Sequence, residues 1–105
     1  MSVLLEFAIF PTEKKEGDSA SDAVSKVIEM IHKSGVSYKL GAMGTVIETE
    51  TLEQALDIVN KSYKVLEPFS NRVYSSINID IRKGKINRLV QKIQSIEQKI
   101  GKVNN

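Results

Sequence analysis

The residue whose type and position most suggest chemistry is Glu6, which interrupts an otherwise apolar run at residues 3–10. A carboxylate placed there needs a partner, because burying an unpaired charge costs free energy. If Glu48 points to the same face of a sheet, two carboxylates lie close together, and a cation between them would relieve their repulsion. Two interpretations remain open. Glu6 forms an ion pair with Arg72, Arg82 or a lysine of a second subunit, or it lines a pocket for a small cationic or hydrogen-bond-donating ligand.

The other residue types that could take part in chemistry mainly exclude kinds of reaction and kinds of binding site. The chain has no cysteine and a single histidine, His32, which excludes thiolate chemistry and a multi-histidine metal site within one chain. Ser75 and Ser76 have no histidine base within obvious reach, so we expect no nucleophilic catalysis. The Gly41–Thr45 segment lacks the lysine and the spacing of a P-loop. It forms either a turn or a close backbone approach to a ligand, with Met43 as a flexible apolar wall. The sequence therefore predicts neither an enzyme nor a metal site.

Composition indicates one ordinary globular domain covering residues 1–105. Hydrophobic residues make up 41% of the chain and charged residues 27%, the usual balance for such a domain. Fifteen basic and thirteen acidic side chains leave a net charge of +2, which is too small to predict a nucleic-acid partner. No apolar run approaches the roughly 20 residues that span a bilayer, and the apolar start has no basic leader. We expect a cytoplasmic protein with no membrane partner.

Periodicity and capping signals predict the order of the elements. Capping-box spacing at Ser19–Asp22 and Thr51–Gln54 marks the beginnings of two helices. The predicted elements are a strand at 3–10 with both faces buried, a helix ending at Gly35, strands at 36–40 and 45–50, a helix ending before Pro68, a strand at 72–82 and a helix at 86–100. The second helix is predicted to bury Leu52, Ala55, Leu56, Val59, Tyr63 and Leu66.

This order is β-α-β-β-α-β with an extra C-terminal helix, and it predicts an α+β, ferredoxin-like fold. Such a fold has a four-stranded antiparallel sheet, strand order 4-1-3-2, with both main helices on one face. Alternation along the last strand assigns its odd-numbered residues, Val73, Ser75, Ile77, Ile79 and Ile81, to the helix side.

The opposite face of the sheet, which we call the open face, carries the even-numbered residues of the first and last strands. Leu4, Phe10 and Tyr74 would form an exposed apolar patch there, which predicts an oligomer interface. The third helix has an apolar stripe of its own. It either covers the open face of its own sheet or packs on a neighbouring subunit, and both arrangements predict a homo-oligomer.

The stretches Ser2–Thr12, Tyr38–Glu48 and Arg72–Arg82 together resemble the small thiamine-binding-protein-like family. The resemblance covers nearly the whole chain, in the right order and at the right spacing. It implies a ferredoxin-like subunit that assembles into dimers and then a tetramer, with a ligand pocket where sheets or subunits meet. It also implies thiamine or its hydroxymethylpyrimidine moiety as a bound ligand, and no other cofactor.

The resemblance implies three groups of site residues. Glu6 and Glu48 would engage the aminopyrimidine or the thiazolium charge, Met43, Gly44 and Thr45 would line the pocket, and Ser76 and Asn78 would add polar contacts. The expected function is therefore a non-catalytic small-molecule-binding protein with its ligand at a subunit interface. The alternative is a structural or regulatory homo-oligomer without a thiamine ligand, in which Glu6 is sealed in an ion pair.

Overall fold

The computed structural model describes residues 1–13 and 20–104, with residue 20 described by its backbone alone. Its elements follow the predicted order. They are β1 (Ser2–Pro11), α1 (Ala20–Ser34), β2 (Ser37–Leu40), β3 (Thr45–Thr49), α2 (Leu52–Leu66), a short 3-10 turn (Glu67–Phe69), β4 (Val73–Arg82) and α3 (Arg88–Ile100). The four strands form one antiparallel sheet in the order β2-β3-β1-β4, which confirms the predicted ferredoxin-like topology. The predicted capping box at Ser19 lies outside the described residues.

The hydrophobic core lies between one face of the sheet and the two helices α1 and α2. The central strand β1 contributes Val3, Leu5, Phe7 and Ile9 to this core. The helices contribute small and branched apolar residues, namely Ala23, Val27, Ile31, Ala55, Ile58 and Leu66. The prediction that β1 is buried on both faces is wrong, because Glu6 and Phe10 on its other face are exposed. α1 and α2 cover only one side of the sheet, so the open face must be covered by something else or remain in water.

The second helix begins at the predicted capping box. The Thr51 hydroxyl accepts a hydrogen bond from the backbone N–H of Gln54, and the Gln54 side chain accepts one from the backbone N–H of Thr51. The buried stripe of α2 differs from the prediction, because it consists of Ala55, Ile58, Ser62 and Leu66. Leu56 and Tyr63 are exposed instead.

Small residues explain this rotation of α2. Ala55 and Ser62 are fully buried, and side chains of that size allow the helix backbone to lie close to the sheet. Burial of the Ser62 hydroxyl is tolerated because it donates a hydrogen bond to the carbonyl oxygen of Ile58 at 2.7 Å. A prediction based on the spacing of apolar residues therefore assigns the wrong face of α2 to the core, because it treats serine as a polar, solvent-facing residue.

The last strand lies at one edge of the sheet, and the helices leave it largely uncovered. Its odd-numbered residues share a face with the buried side chains of β1, since Ile77 lies opposite Phe7 and Ile79 lies opposite Leu5. The predicted side is therefore correct, but Ile77, Ile79 and Ile81 remain 40–47% exposed. Within the described residues, no helix is both long enough and apolar enough to cross a membrane.

We predict that Thr51→Ala lowers the free energy of unfolding by about 1 kcal/mol, because it removes the N-terminal cap of α2. Urea denaturation followed by circular dichroism measures the change. The matched control is Asn60→Ala, an exposed position within the same helix, which should stay within about 0.5 kcal/mol of the wild type. Equal effects of the two substitutions would contradict a stabilising role for the cap.

Candidate site on the open face of the sheet

The third helix lies across one end of the open face of its own sheet. It contacts β1, β2 and β3, so the structure shows the first of the two predicted arrangements. Of the apolar residues of α3, Leu89 and Ile93 are half-buried, whereas Val90, Ile96 and Ile100 remain exposed. The end of the open face that carries Glu6 and Phe10 is left uncovered.

Glu48 caps the N-terminus of α3 from the neighbouring strand. Its carboxylate accepts hydrogen bonds from the backbone N–H groups of Arg88 and Leu89, each at 3.0 Å, and from the Ser2 hydroxyl at 2.5 Å. The first N–H groups of any helix lack intrahelical acceptors and carry partial positive charge. The local residue Asn87 makes no capping bond and has a left-handed backbone, with φ of 56°. Glu48 therefore takes the role that a capping side chain has in other helices.

Arg88 completes this junction with hydrogen bonds to the beginning of β1 and to the region near the end of β4. Its guanidinium donates to the Ser2 carbonyl oxygen at 2.8 Å and to the Asp80 carbonyl oxygen at 2.7 Å. It also forms an ion pair with the Asp80 carboxylate at 2.9 Å and donates to the Ser2 hydroxyl at 3.1 Å. We call the set Ser2, Glu48, Asp80 and Arg88 the helix clasp, because it joins β1, β3, β4 and α3.

The clasp shifts the pKa of Glu48 below its ordinary value. Partial burial raises the pKa, but the hydrogen bonds from Ser2, Leu89 and Arg88 and the positive charge of Arg88 together outweigh that effect. Folding therefore favours the ionised carboxylate. The resulting stabilisation is complete above the ordinary pKa of 4.5 and is lost as the pH falls through the lower pKa of the folded state.

Glu6 shares the open face with Glu48 but has different surroundings. It lies between Val46 on β3 and Asn78 on β4, and it is exposed. No ion pair to Glu6 occurs within residues 1–13 and 20–104. Arg82 lies at the far end of the ladder, opposite Ser2, and is not its partner. The described part of a single chain thus leaves this carboxylate available.

The loop between β2 and β3 approaches the sheet beside Glu6. A Cβ atom added to Gly44 would lie 3.2 Å from the Phe7 carbonyl oxygen and 3.5 Å from Cγ of Glu6, so the loop packs closely there. Thr45 is buried opposite Phe7, on the helix side, and Met43 is 93% exposed. Met43, Gly44 and Thr45 line one wall of a cleft of about 310 Å³, and α1 lines the opposite wall.

The predicted site residues therefore fall into separate places. Asn78 lies opposite Glu6 and Ser76 lies opposite Ala8, all on the open face, and Gly44 approaches Glu6 from the loop. Met43 and Thr45 belong to the adjoining cleft, and Glu48 belongs to the helix clasp. Among the residues described, no group of three or more histidine, aspartate or glutamate side chains is arranged to hold a metal ion.

The sequence patterns do not identify Arg88 as an important residue, although it is the basic residue with the most hydrogen bonds in the described chain. A cation in the first turn of a helix is unusual, because it opposes the helix dipole. That position was the available signal that a carboxylate from elsewhere must lie near the helix N-terminus.

Comparison with known proteins agrees with this fold and its sheet. The family model described as thiamine-binding protein matches residues 5–97. The chain belongs to the thiamine-binding protein family. A UPF0045 protein of Methanocaldococcus jannaschii is 35% identical over 94 residues, which cover 90% of this chain and 91% of that protein. Its crystal structure superposes with a TM-score of 0.74, covering 92% and 97% of the two chains.

Two further solved structures are similar to this chain. A Bacillus cereus domain of unknown function, DUF77, has 28% identity and a TM-score of 0.77, covering 90% of this chain and 88% of that domain. A Thermotoga maritima protein, provisionally named for thiamine biosynthesis or salvage, has 25% identity and a TM-score of 0.75, covering 91% and 99%. None of these names describes a catalysed reaction.

We predict that Glu48→Gln lowers the free energy of unfolding at pH 7 by about 1 kcal/mol or more, because it removes a charged acceptor from the clasp. It should also flatten the loss of stability below pH 4.5, which chemical denaturation across a pH series measures. Glu50→Gln is the matched control, since it removes the same charge from an exposed position two residues away. Wild-type stability and an unchanged pH profile for Glu48→Gln would contradict the capping role.

Proposed function

We propose that this protein is a non-catalytic small-molecule-binding protein that takes thiamine or its hydroxymethylpyrimidine moiety on the open face of the sheet. The observation that carries the proposal is the exposed Glu6 carboxylate, which has no ion pair within the described residues. Membership of the thiamine-binding protein family supports the ligand class, and so does the provisional name of the Thermotoga maritima relative.

The chemistry of thiamine suits the residues around Glu6. Its thiazolium ring has a fixed positive charge, which a carboxylate attracts, and its aminopyrimidine ring has both hydrogen-bond donors and acceptors. Asn78 can donate and accept hydrogen bonds, and the Ser76 hydroxyl can do the same. A few such polar groups beside an apolar wall are typical of small-molecule sites, and Met43 and Gly44 supply that wall at the loop.

We propose binding without a catalytic step. The single histidine is remote from Glu6 in the sheet, because His32 lies on α1 and its Nδ1 hydrogen-bonds the hydroxyl of Tyr38 on β2 at 2.8 Å. Tyr38 lies opposite Ile47 and therefore on the helix side. A cytoplasmic location is part of the same proposal.

We further propose a homotetramer built as a dimer of dimers, with the ligand at a subunit interface. Two separate uncovered apolar surfaces support two successive association steps. One is the helix side of β4, where Ile77, Ile79 and Ile81 are exposed on a ten-residue strand whose outer edge has no partner strand among the described residues. The other is the outer surface of α3, where Val90 and Ile96 are exposed.

A structural or regulatory oligomer without a thiamine ligand is the second candidate. The same uncovered surfaces favour it, because they predict assembly whether or not a ligand binds. Under this alternative a lysine of a second subunit neutralises Glu6. The two functions differ in whether the Glu6 carboxylate remains accessible in the assembled protein.

We predict that the assembled protein binds thiamine saturably and that Glu6→Gln weakens this binding by roughly 10-fold or more, since a charge-assisted contact is worth about 1.5–3 kcal/mol. Isothermal titration measures the affinity. Glu53→Gln is the control, because it removes an exposed carboxylate from α2, on the opposite side of the sheet. Absence of heat with both thiamine and hydroxymethylpyrimidine would favour the oligomer without a ligand, provided the melting temperature is also unchanged.

We predict that Ile79→Asp dissociates the oligomer toward the 11.7 kDa subunit, because it places a charge in the uncovered row of β4. Light scattering gives the mass. Leu40→Asp is the control at an exposed apolar position on the opposite edge strand and should leave the mass unchanged. A wild-type protein that is already monomeric would refute the proposed assembly.

A further inference from the structure

We infer that Phe10 and Tyr74 form an aromatic platform that stacks against a planar ring of the ligand, so the open face selects a flat cationic heteroaromatic molecule. This inference rests on the proposed function and specifies which end of the site holds the ring. Neither residue belongs to the site residues that the family resemblance implies.

The geometry is a series of three consecutive pairs across β1 and β4, all on the open face. Phe10 lies opposite Tyr74, Ala8 lies opposite Ser76, and Glu6 lies opposite Asn78. The series runs from an aromatic pair through a small pair to a carboxylate and an amide. The small side chains in the middle leave a trough, and its length from residue 6 to residue 10 is roughly 13 Å at the rise of a strand.

The two aromatic rings contact each other and are accessible to solvent. The two ring centroids are 5.7 Å apart with planes inclined at 42°, which is a favourable tilted arrangement. Phe10 is nevertheless 42% exposed and Tyr74 54% exposed. Ring surface held in position by a neighbouring ring and left facing water is suited to stacking with a flat ligand, because little side-chain freedom remains to be lost.

The loop after β2 bounds the trough on its other side. Pairing between β1 and β3 ends where Phe7 meets Thr45, so Ala8 and Phe10 have no neighbour on β3. The cleft of about 310 Å³ begins at that point and extends to the helix side of the sheet, because Val24, Val27 and Ile28 of α1 line it together with Phe10 and Met43.

Charge favours a small cationic ligand over an apolar protein surface as the occupant. A second subunit seated flat on this trough would bury Glu6 together with the polar groups of Ser76 and Asn78, and each would need a partner. A planar cation satisfies the carboxylate at one end and the aromatic faces at the other, because aromatic rings also attract cations. The order of the side chains along the trough, with a carboxylate at one end and aromatic rings at the other, therefore suits a planar cation.

The test is titration of thiamine and, separately, hydroxymethylpyrimidine against four forms of the full chain. These are the wild type, Phe10→Leu, Tyr74→Leu and the control Tyr63→Leu, which removes a comparably exposed tyrosine from α2. Stacking on one aromatic ring is worth about 1–3 kcal/mol, so each of the first two substitutions should weaken binding roughly 5- to 100-fold. Tyr63→Leu should leave the affinity unchanged, and Tyr74→Phe should restore most of the wild-type affinity because it keeps the ring.

The outcomes separate this inference from the proposed function. If the wild type binds thiamine and both leucine variants bind it equally well, the platform is refuted and the proposed function stands. If the wild type binds neither compound, the proposed function fails, and benzyltrimethylammonium then tests the platform alone. Saturable NMR shifts of the Tyr74 ring with that probe would support the platform. The absence of such shifts would refute it. A changed oligomeric mass for either leucine variant would show that the aromatic pair is a subunit contact, which also refutes the platform.

Discussion

The first backbone N–H groups of α3 have no acceptor within their own helix, and the carboxylate of Glu48 on β3 supplies one. The position of α3 depends on this capping interaction, because Asn87 provides no side-chain cap. Arg88 strengthens the same junction by reaching the ends of β1 and β4. α3 therefore lies over one end of the open face, and the other end, which carries Glu6, stays accessible. The candidate site therefore lies at the end of the open face that α3, held in place by the helix clasp, leaves uncovered.

Two glutamates on one face of one sheet thus have different roles because their neighbours differ. Glu48 accepts three hydrogen bonds and lies beside a guanidinium, so its charge is satisfied within the fold and stabilises it. Glu6 has a valine on one side and an asparagine on the other, and neither has a charge. A carboxylate that the described fold does not use for stability is available for a ligand or a partner subunit.

The sequence predicts the topology well because topology depends on local signals. The alternation along β4 and the capping box at Thr51 can each be recognised within fewer than a dozen residues, and the strand register and the helix cap of the structure agree with both. The buried stripe of α2 cannot be predicted from such a local pattern, because it depends on how closely Ala55 and Ser62 let the helix approach the sheet. The capping of α3 is harder still, since Glu48 and Arg88 are separated by 40 residues and meet only once the sheet has formed. Local patterns therefore predict the elements, whereas the chemistry of the site depends on contacts between distant ones.

The alternation of β4 also places the proposed subunit contact and the proposed ligand site on different faces of one strand. Its odd-numbered isoleucines face the helix side, where the helices leave them exposed, and its even-numbered Tyr74, Ser76 and Asn78 face the open side. Because successive side chains of a strand point to opposite faces, a substitution in one set leaves the other set in place. A subunit contact on the isoleucine row would lie on the helix side of the sheet and would not cover the trough at Glu6. The proposed subunit contact at β4 and the proposed ligand site at Glu6 thus lie on opposite faces of the same ten-residue strand pair, and each can be altered without the other.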